Sequence, residues 1–165
     1  ERTCRGQTTF DLTRRKVIQY VAYTDNTDVE SGHGSHCAST IAGAADNTNT
    51  NITNYDGMAP FAKLAFFDVG DSAWGSFDVP RYADDILGPA YDAGARLFSN
   101  SWSSNDAGYP ERSVDFDTFL HTNDDMLVFF SAGNDAECSS SPDHCGDYSM
   151  GSPGTAKNVM TVGAS

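Results

Sequence analysis

Short apolar runs alternate along the chain with longer segments whose apolar residues recur at helical spacing. The short runs are rich in β-branched and aromatic residues, a composition that favours strands. They predict strands at residues 16–23, 62–69, 96–102, 126–130 and 158–163. The longer segments predict helices at residues 33–45, 79–93 and 113–123.

Two positions bear on where these helices begin and end. Ser113 stands at the start of an apolar stripe, and its hydroxyl is expected to cap the third helix. Gly88 and Pro89 lie inside the second predicted helix. Proline removes a backbone hydrogen bond there, so we expect a kinked or shortened helix.

The order of the elements predicts the fold class. Because strands alternate with helices, we expect an α/β fold in which a parallel sheet is flanked by helices on both faces. Functional residues of such sheets lie at the carboxyl ends of the strands. His33, residues 101–103 and Asn134 all follow predicted strands, so we expect them to meet at one edge of the sheet.

Length and charge narrow the class of protein. The 165 residues suffice for one compact domain, and no linker or internal repeat divides them. Asp and Glu total 23 against 10 Lys and Arg, which gives a net charge of −13. Nucleic acid and anionic membranes attract clusters of basic residues, so neither is an expected partner. No apolar run approaches the roughly 18 residues of a transmembrane helix, and the polar start is unlike a signal peptide.

One segment carries the most specific motif in the chain. Residues 31–43 read SGHGSHCASTIAG, in which two glycines flank His33 and small residues follow with helical spacing. The segment resembles the histidine segment of the subtilisin-like serine proteases, Gly-His-Gly-Thr-His-x-Ala-Gly-Thr. Ser35 stands where that family usually has Thr, and Ser39 stands where it usually has Gly.

Further blocks resemble the same family in the same order. These blocks are Gly57-Met58-Ala59-Pro60, Asn100-Ser101-Trp102-Ser103, Ser131-Ala132-Gly133-Asn134 and Thr161-Val162-Gly163-Ala164. The resemblance covers residues 16–165, with residues 1–15 as an irregular lead-in. It implies that the whole chain is part of one subtilisin-like catalytic domain whose sheet is incomplete within these residues.

The resemblance also implies an activity, that of a serine endopeptidase which hydrolyses peptide bonds by acyl transfer. His33 would take the proton of a serine hydroxyl and return it to the leaving amine. Asn134 would offer its side-chain amide to the developing oxyanion. The implied substrate-binding residues are Ser101, Trp102 and Ser103 with Trp74 and Gly75 along an extended peptide, and Ala132 and Gly133 at the pocket for the residue before the cut.

Several positions depart from the family pattern. Trp102 replaces a commoner Leu and Ser103 replaces the usual Gly, which leaves the specificity open. The family's Gly-Thr-Ser-Met-Ala serine segment does not occur in residues 1–165. The triad acid is either Asp25 or Asp28, close before His33, or an aspartate that precedes Glu1. We favour the last, so the isolated chain is expected to be inactive and to need the remaining segments of its domain.

The cysteines indicate the cellular compartment in which the protein is expected. Cys138 and Cys145 lie seven positions apart in a Ser/Pro/Asp-rich segment and are candidates for a local disulfide. We therefore expect a secreted protein, extracellular or in the secretory pathway. The resemblance further implies that Cys37 is a thiol packed under the histidine, as in the proteinase K-like branch.

Other functions and ligands are considered from the same residues. A zinc site could use His33, His36 and Cys37, but their spacing is unlike that of structural zinc sites. A non-catalytic, peptide-binding module with the same fold is the second alternative. We assign no metal and no cofactor. Calcium, common in the family, cannot be placed on the acidic residues Asp46, Asp84, Asp85, Asp124 and Asp125, which lack ligand spacing.

Overall fold

The computed structural model describes residues 9–28, 31–45, 55–73, 75–134 and 149–164. The chain divides into two compact units. The first unit comprises Glu1–Pro80 and Gly88–Ala95, and the second comprises Arg81–Leu87 and Arg96–Ser165.

The first unit is built on a parallel strand–helix–strand arrangement. Strand β1 (Val17–Ala22) pairs with β2 (Leu64–Asp68), and helix α1 (His33–Ala42) lies between them in the chain. A Cβ atom added to Gly34 would lie 3.2 Å from the ring of Phe66, so α1 packs closely on β2. The small residues of the histidine segment thus allow this close approach.

A short hairpin follows β2 directly. Strands β3 (Gly70–Asp71) and β4 (Ser76–Phe77) pair in antiparallel fashion, where the sequence had predicted only a loop. Each strand has just two residues, too few to show an alternating apolar pattern.

Helix α2 (Ala83–Asp92) contributes residues to both units. It begins four positions later than predicted, and Pro89 lies inside it. The carbonyl of Pro89 accepts hydrogen bonds from the Ala93 amide, at 3.1 Å, and from the buried side chain of Gln19, at 3.0 Å. The helix continues three residues past Pro89 to Asp92, one residue before its predicted end, so its shortening arises mainly at its start and not at the proline.

The second unit contains a three-stranded parallel sheet. Its strands are β5 (Leu97–Asn100), β6 (Leu127–Ser131) and β7 (Met160–Val162), in that order across the sheet. Helix α3 (Glu111–Thr122) connects β5 to β6. Phe116 of α3 meets Phe130 of β6 edge to face at 5.2 Å, in the core of this unit.

The start of α3 corrects one prediction. The helix begins at Glu111 with Pro110 as its N-cap residue, so the expectation that Ser113 caps it was wrong. Ser113 is fully buried, and its hydroxyl lies 3.0 Å from those of both Ser152 and Thr155. Ser113 therefore ties α3 to the turn that precedes β7.

The predicted fold class is confirmed, because parallel strands alternate with helices along the chain. In the described part of the chain, no helix has the length and apolar character required to cross a membrane. The same residues include no cluster of three or more His, Cys, Asp or Glu side chains arranged to hold a metal ion.

Candidate active site

The residues singled out from the sequence are distributed over both units. His33 and Gly75 belong to the first unit, whereas residues 101–103 and 132–134 belong to the second. Trp74 and the disulfide candidates Cys138 and Cys145 lie outside the described residues.

His33 is the first residue of α1, and its side chain is exposed. The preceding Gly32 adopts the left-handed conformation with φ 64° and ψ 23°, which glycine accepts without strain. The Gly32 carbonyl accepts a hydrogen bond of 2.9 Å from the His36 amide and so joins the first turn of the helix. This arrangement fixes the backbone of His33 while its imidazole faces outwards.

The thiol of Cys37 lies beside this imidazole. Residues four apart share one face of a helix, and the Cys37 sulfur is 3.8 Å from Nε2 of His33. Cys37 is half-buried and forms no disulfide. The expectation that a thiol packs against the histidine is confirmed.

Asp25 has a role in loop structure. Its Oδ1 accepts hydrogen bonds from the amide and hydroxyl of Thr27, and its Oδ2 accepts two from the amide and hydroxyl of Ser72. These bonds, that from the Thr27 amide first, hold the pKa of Asp25 well below its usual range. Asp25 therefore joins the loop after β1 to the β3–β4 hairpin.

The side chain of Asp28 is hydrogen-bonded to a residue in the first turn of α1. Its carboxylate accepts a hydrogen bond of 2.5 Å from the Ser35 hydroxyl. Within the described residues, no hydrogen bond joins Asp25 or Asp28 to His33. Neither carboxylate is positioned in this structure to orient the imidazole in the way a triad acid does.

Gly75 occupies the tip of the β3–β4 hairpin. Its φ of 60° is left-handed, and a Cβ atom there would meet nothing within 4 Å. The space beside its Cα atom is therefore open.

The second unit brings two of the predicted segments together. Asn100 of β5 pairs with Phe130 of β6, so the chain leaves both parallel strands at neighbouring points of the same edge. A Cβ atom added to Gly133 would lie 3.6 Å from Oγ of Ser103. Gly133 has a φ of 95°, and the exposed Asn134 follows it. Residues 101–103 therefore run beside the turn that presents Asn134.

The side chain of Trp102 packs inwards. Its indole N–H donates a hydrogen bond of 3.1 Å to the buried Asn100, and its ring meets Phe130 edge to face at 5.2 Å. The Arg112 guanidinium lies 5.6 Å from the ring centre. These contacts therefore hold the Trp102 ring within the second unit.

The sequence did not identify a third segment of this site, the turn from residue 149 to residue 156. A Cβ atom on Gly151 would lie 2.0 Å from the carbonyl oxygen of Ser104 and 3.0 Å from the side chain of Ser103. The Ser104 amide donates a 2.8 Å hydrogen bond to the carbonyl of Ser152, whose peptide bond with Pro153 is cis. A glycine beside a Ser-Pro pair was the signal that the sequence offered, but nothing local shows which segment this glycine contacts.

Comparison with known proteins adds to this geometry. The model of the subtilase family, peptidase S8, matches residues 6–165. The chain is 35% identical over 161 residues to the serine protease/ABC transporter B family protein tagD of Dictyostelium discoideum, which covers 93% of this chain and 8% of that protein. It is 32% identical over 155 residues to tagB of the same organism, which covers 91% of this chain and 8% of that protein.

A fungal relative is also similar. Over 146 residues the chain is 29% identical to subtilisin-like protease 1 of Pseudogymnoascus destructans, which covers 88% of this chain and 30% of that protein. The chain therefore spans less than a third of the length of each of these relatives.

Proposed function

Because the chain belongs to the subtilase family of serine proteases, we propose that its residues form part of the active site of a serine endopeptidase. His33 takes the proton from a serine nucleophile, which we place outside residues 1–165, and returns it to the leaving amine. The side-chain amide of Asn134 donates a hydrogen bond to the oxyanion that forms at the scissile carbonyl. One peptide leaves as the amine when the acyl-enzyme forms, and water then hydrolyses the acyl-enzyme to release the other peptide as a carboxylate.

The observation that carries this proposal is the contact between the segments that follow β5 and β6. Ser103 lies beside Gly133, and Asn134 comes next in the chain. A peptide that pairs with the segment at residues 101–103 through main-chain hydrogen bonds would therefore extend past the Asn134 amide. Ala132 and Gly133 would line the pocket for the side chain before the cut.

His33 is the proposed proton-transfer group. Its side chain is exposed and its backbone is held by the first turn of α1, and imidazole is the side chain used most often as a general base. Gly75 and Trp74 are proposed to border the substrate on the first unit. The triad acid is proposed to come from outside the chain, since Asp25 and Asp28 are bonded to Thr27, Ser72 and Ser35 instead.

The family membership and the sequence also support proposals for the substrates, the partners and the location of the protein. Peptides or proteins are the substrates, and the remaining segments of the catalytic domain are the partners that complete the site. We propose an extracellular or secretory location from the spacing of Cys138 and Cys145. The acyl-transfer route uses no cofactor, and calcium is not assigned to any residue.

The test uses the protein expressed from its complete coding sequence. A fluorophosphonate probe reports an activated serine, and an internally quenched peptide library reports cleavage. We expect both signals in the unaltered protein. His33→Ala should lower kcat by about 10⁶-fold, the order of the loss measured for the triad histidine within this family, and kcat/KM should fall with it.

His121→Ala is the matched control, because His121 is also an exposed helical histidine but lies in α3. It should leave both signals unchanged. A protein that binds peptides but neither reacts with the probe nor cleaves them would instead be a non-catalytic binding module.

A further inference from the structure

A turn in the first unit holds two large apolar side chains at the surface. Met58 and Phe61 are both exposed, the latter to 98%. The amides of Met58 and Ala59 donate to carbonyls in the last turn of α1, at 2.9 and 2.8 Å, and the Ala62 amide donates to the Ala59 carbonyl at 2.9 Å. The turn therefore presents both side chains from a backbone that is fixed by hydrogen bonds.

Two lysine side chains join this turn to the segment that precedes β1. Nζ of Lys16 donates to the carbonyls of the residues on either side of Phe61, at 2.6 and 2.9 Å. Nζ of Lys63 donates to a backbone carbonyl of the segment before β1. Residues 12–16 and 58–63 therefore lie side by side, and we call them the basic–apolar patch.

The basic–apolar patch differs in charge from the chain as a whole. Its residues include four of the chain's 10 Lys and Arg and none of its 23 Asp and Glu. The patch thus carries +4, whereas the whole chain carries −13. Arg14, Arg15 and Lys63 are exposed beside the apolar side chains. Exposed apolar surface with a charged rim is typical of an interaction site, and a positive rim favours an acidic partner.

We propose that the basic–apolar patch binds an acidic segment of a partner protein, in which aspartate or glutamate alternates with large apolar residues. The apolar side chains of that segment pack on Met58 and Phe61. Its carboxylates pair with Arg15 and with Lys63, whose ammonium group has three N–H donors and uses one on the carbonyl of Leu12.

Charge and shape favour a narrow partner over an anionic membrane or a second copy of this chain. A bilayer is flat, so it would also face Asp11 and Asp56, which border the patch and are exposed. A single segment meets mainly the patch, because charges more than about 8 Å away are largely screened at physiological ionic strength. A second copy carries the same net charge of −13, and the repulsion opposes its docking.

The experiment measures the binding of a fluorescein-labelled peptide, in which pairs of glutamates alternate with leucine or phenylalanine, by fluorescence anisotropy. The protein comes from its complete coding sequence and carries His33→Ala, so cleavage does not consume the probe and the result is independent of catalysis. We expect saturable binding. A peptide with glutamine for every glutamate, or with serine for every apolar residue, should bind at least about tenfold more weakly.

Substitutions in the patch locate the binding. Phe61→Gln should weaken binding by at least about tenfold, because an aromatic anchor is lost. Arg15→Gln should weaken it by about two- to fivefold and reduce its dependence on salt, as expected for an exposed ion pair. The matched controls in the second unit are Leu97→Gln, which removes another exposed apolar side chain, and Arg96→Gln, which removes the same charge. Both should leave the affinity within about twofold.

Three results would overturn the proposal. The first is an unchanged affinity in either Phe61→Gln or Arg15→Gln, or no binding of the acidic peptide. The second is sedimentation of the protein with phosphatidylserine vesicles in the absence of peptide binding, which would assign the patch to a membrane. The third is a mass in light scattering that falls in Phe61→Gln, again without peptide binding, which would assign the patch to a second copy.

Discussion

His33 and Cys37 lie one helical turn apart in α1, and that spacing sets the distance of 3.8 Å between the imidazole Nε2 and the sulfur. Both residues come from one short motif, so their contact could be foreseen without knowledge of the rest of the fold. Asp25 shows the opposite case. Its partner Ser72 is 47 positions away, and only the structure reveals that this aspartate is used in a loop.

Asn134 offers the sharpest test at the scale of one residue. If its amide binds only the oxyanion, Asn134→Ala should lower kcat by about 100- to 1000-fold, the loss measured within this family for an oxyanion donor. KM should change little, because the bond forms mainly in the transition state. Steady-state kinetics on one peptide substrate separates the two parameters.

Asn105→Ala is the matched control for that substitution, since Asn105 is an exposed asparagine in the loop after β5. It should leave kcat and KM within about twofold, as expected for a surface change away from the site. A rise in KM in Asn134→Ala, with kcat preserved, would assign Asn134 to ground-state binding instead.

At the scale of helices and strands, the sequence pattern predicted the features that depend on neighbouring residues. The inward positions of Phe116 and Leu120 in α3 follow from apolar periodicity. The same stripe predicted that Val114 faces inwards, and this was wrong, because its side chain is 43% exposed. Ser113 was mistaken for a cap because it stands at the start of the apolar stripe, whereas it belongs to the buried face of the helix, three residues before Phe116. Its hydroxyl partners Ser152 and Thr155 are 39 and 42 positions away, and periodicity carries no information about them.

The start of α2 was predicted wrongly because it also depends on a contact between residues far apart in the chain. The sequence placed it at Val79, but the helix begins at Ala83, whose amide donates to the carboxylate of Asp115 in α3. The residues of the candidate site fall into the same two groups, those in local motifs and those defined by long-range contacts. His33 and Asn134 stand in recognisable motifs, whereas the packing of Gly151 against Ser103 depends on a long-range contact.

The Ser113 contact predicts a measurable loss of stability. Ser113→Ala leaves the hydroxyl of the buried Ser152 without this partner, so we expect a destabilisation of about 1–3 kcal/mol. Urea denaturation followed by far-UV circular dichroism measures the change. Thr118→Ala on the same helix removes only an exposed bond to the Val114 carbonyl and should cost less than about 0.5 kcal/mol. Equal losses in both variants would refute a special role for Ser113.

Asp117 predicts a pH dependence. Burial tends to raise the pKa of its carboxyl, but hydrogen bonds from the Tyr109 hydroxyl and the Lys157 and Asn158 amides outweigh that effect and lower it. A lowered folded-state pKa gives stability that is present above the unfolded pKa of about 3.9 and is lost as pH falls through the folded value.

Asp117→Asn removes that ionisation. Because Asp117 is only half-buried and solvent screens its carboxylate, we expect a loss of only about 1 kcal/mol at pH 7. The difference from the unaltered protein should shrink as pH falls below about 4. Thermal unfolding at a series of pH values tests this, and a difference that stays constant down to pH 2 would contradict the assigned cause.

At the scale of the whole molecule, large apolar side chains remain at the surface of both units. In the first unit Phe61 is 98% exposed and Met58 is 89% exposed, and in the second Leu97 is 70% exposed on β5. Exposed apolar strands invite pairing with other chains. The net charge of −13 opposes such association through repulsion between like-charged copies.

These two effects predict how residues 1–165 behave when expressed alone. Apolar contact should drive self-association, and added salt should increase it, because screening weakens the repulsion while the apolar contacts persist. Light scattering after size exclusion, at about 20 mM and 500 mM salt, measures the mass; at these concentrations the screening length falls from roughly 20 Å to a few ångströms. The double substitution Met58→Gln and Phe61→Gln should lower the associated fraction. The control is Val114→Gln, which replaces a less exposed apolar residue on α3 and should leave the associated fraction unchanged. A monomer with one cooperative unfolding transition at both salt concentrations would show that these surfaces need no further partner, and the expectation that other segments complete the domain would lose its physical basis.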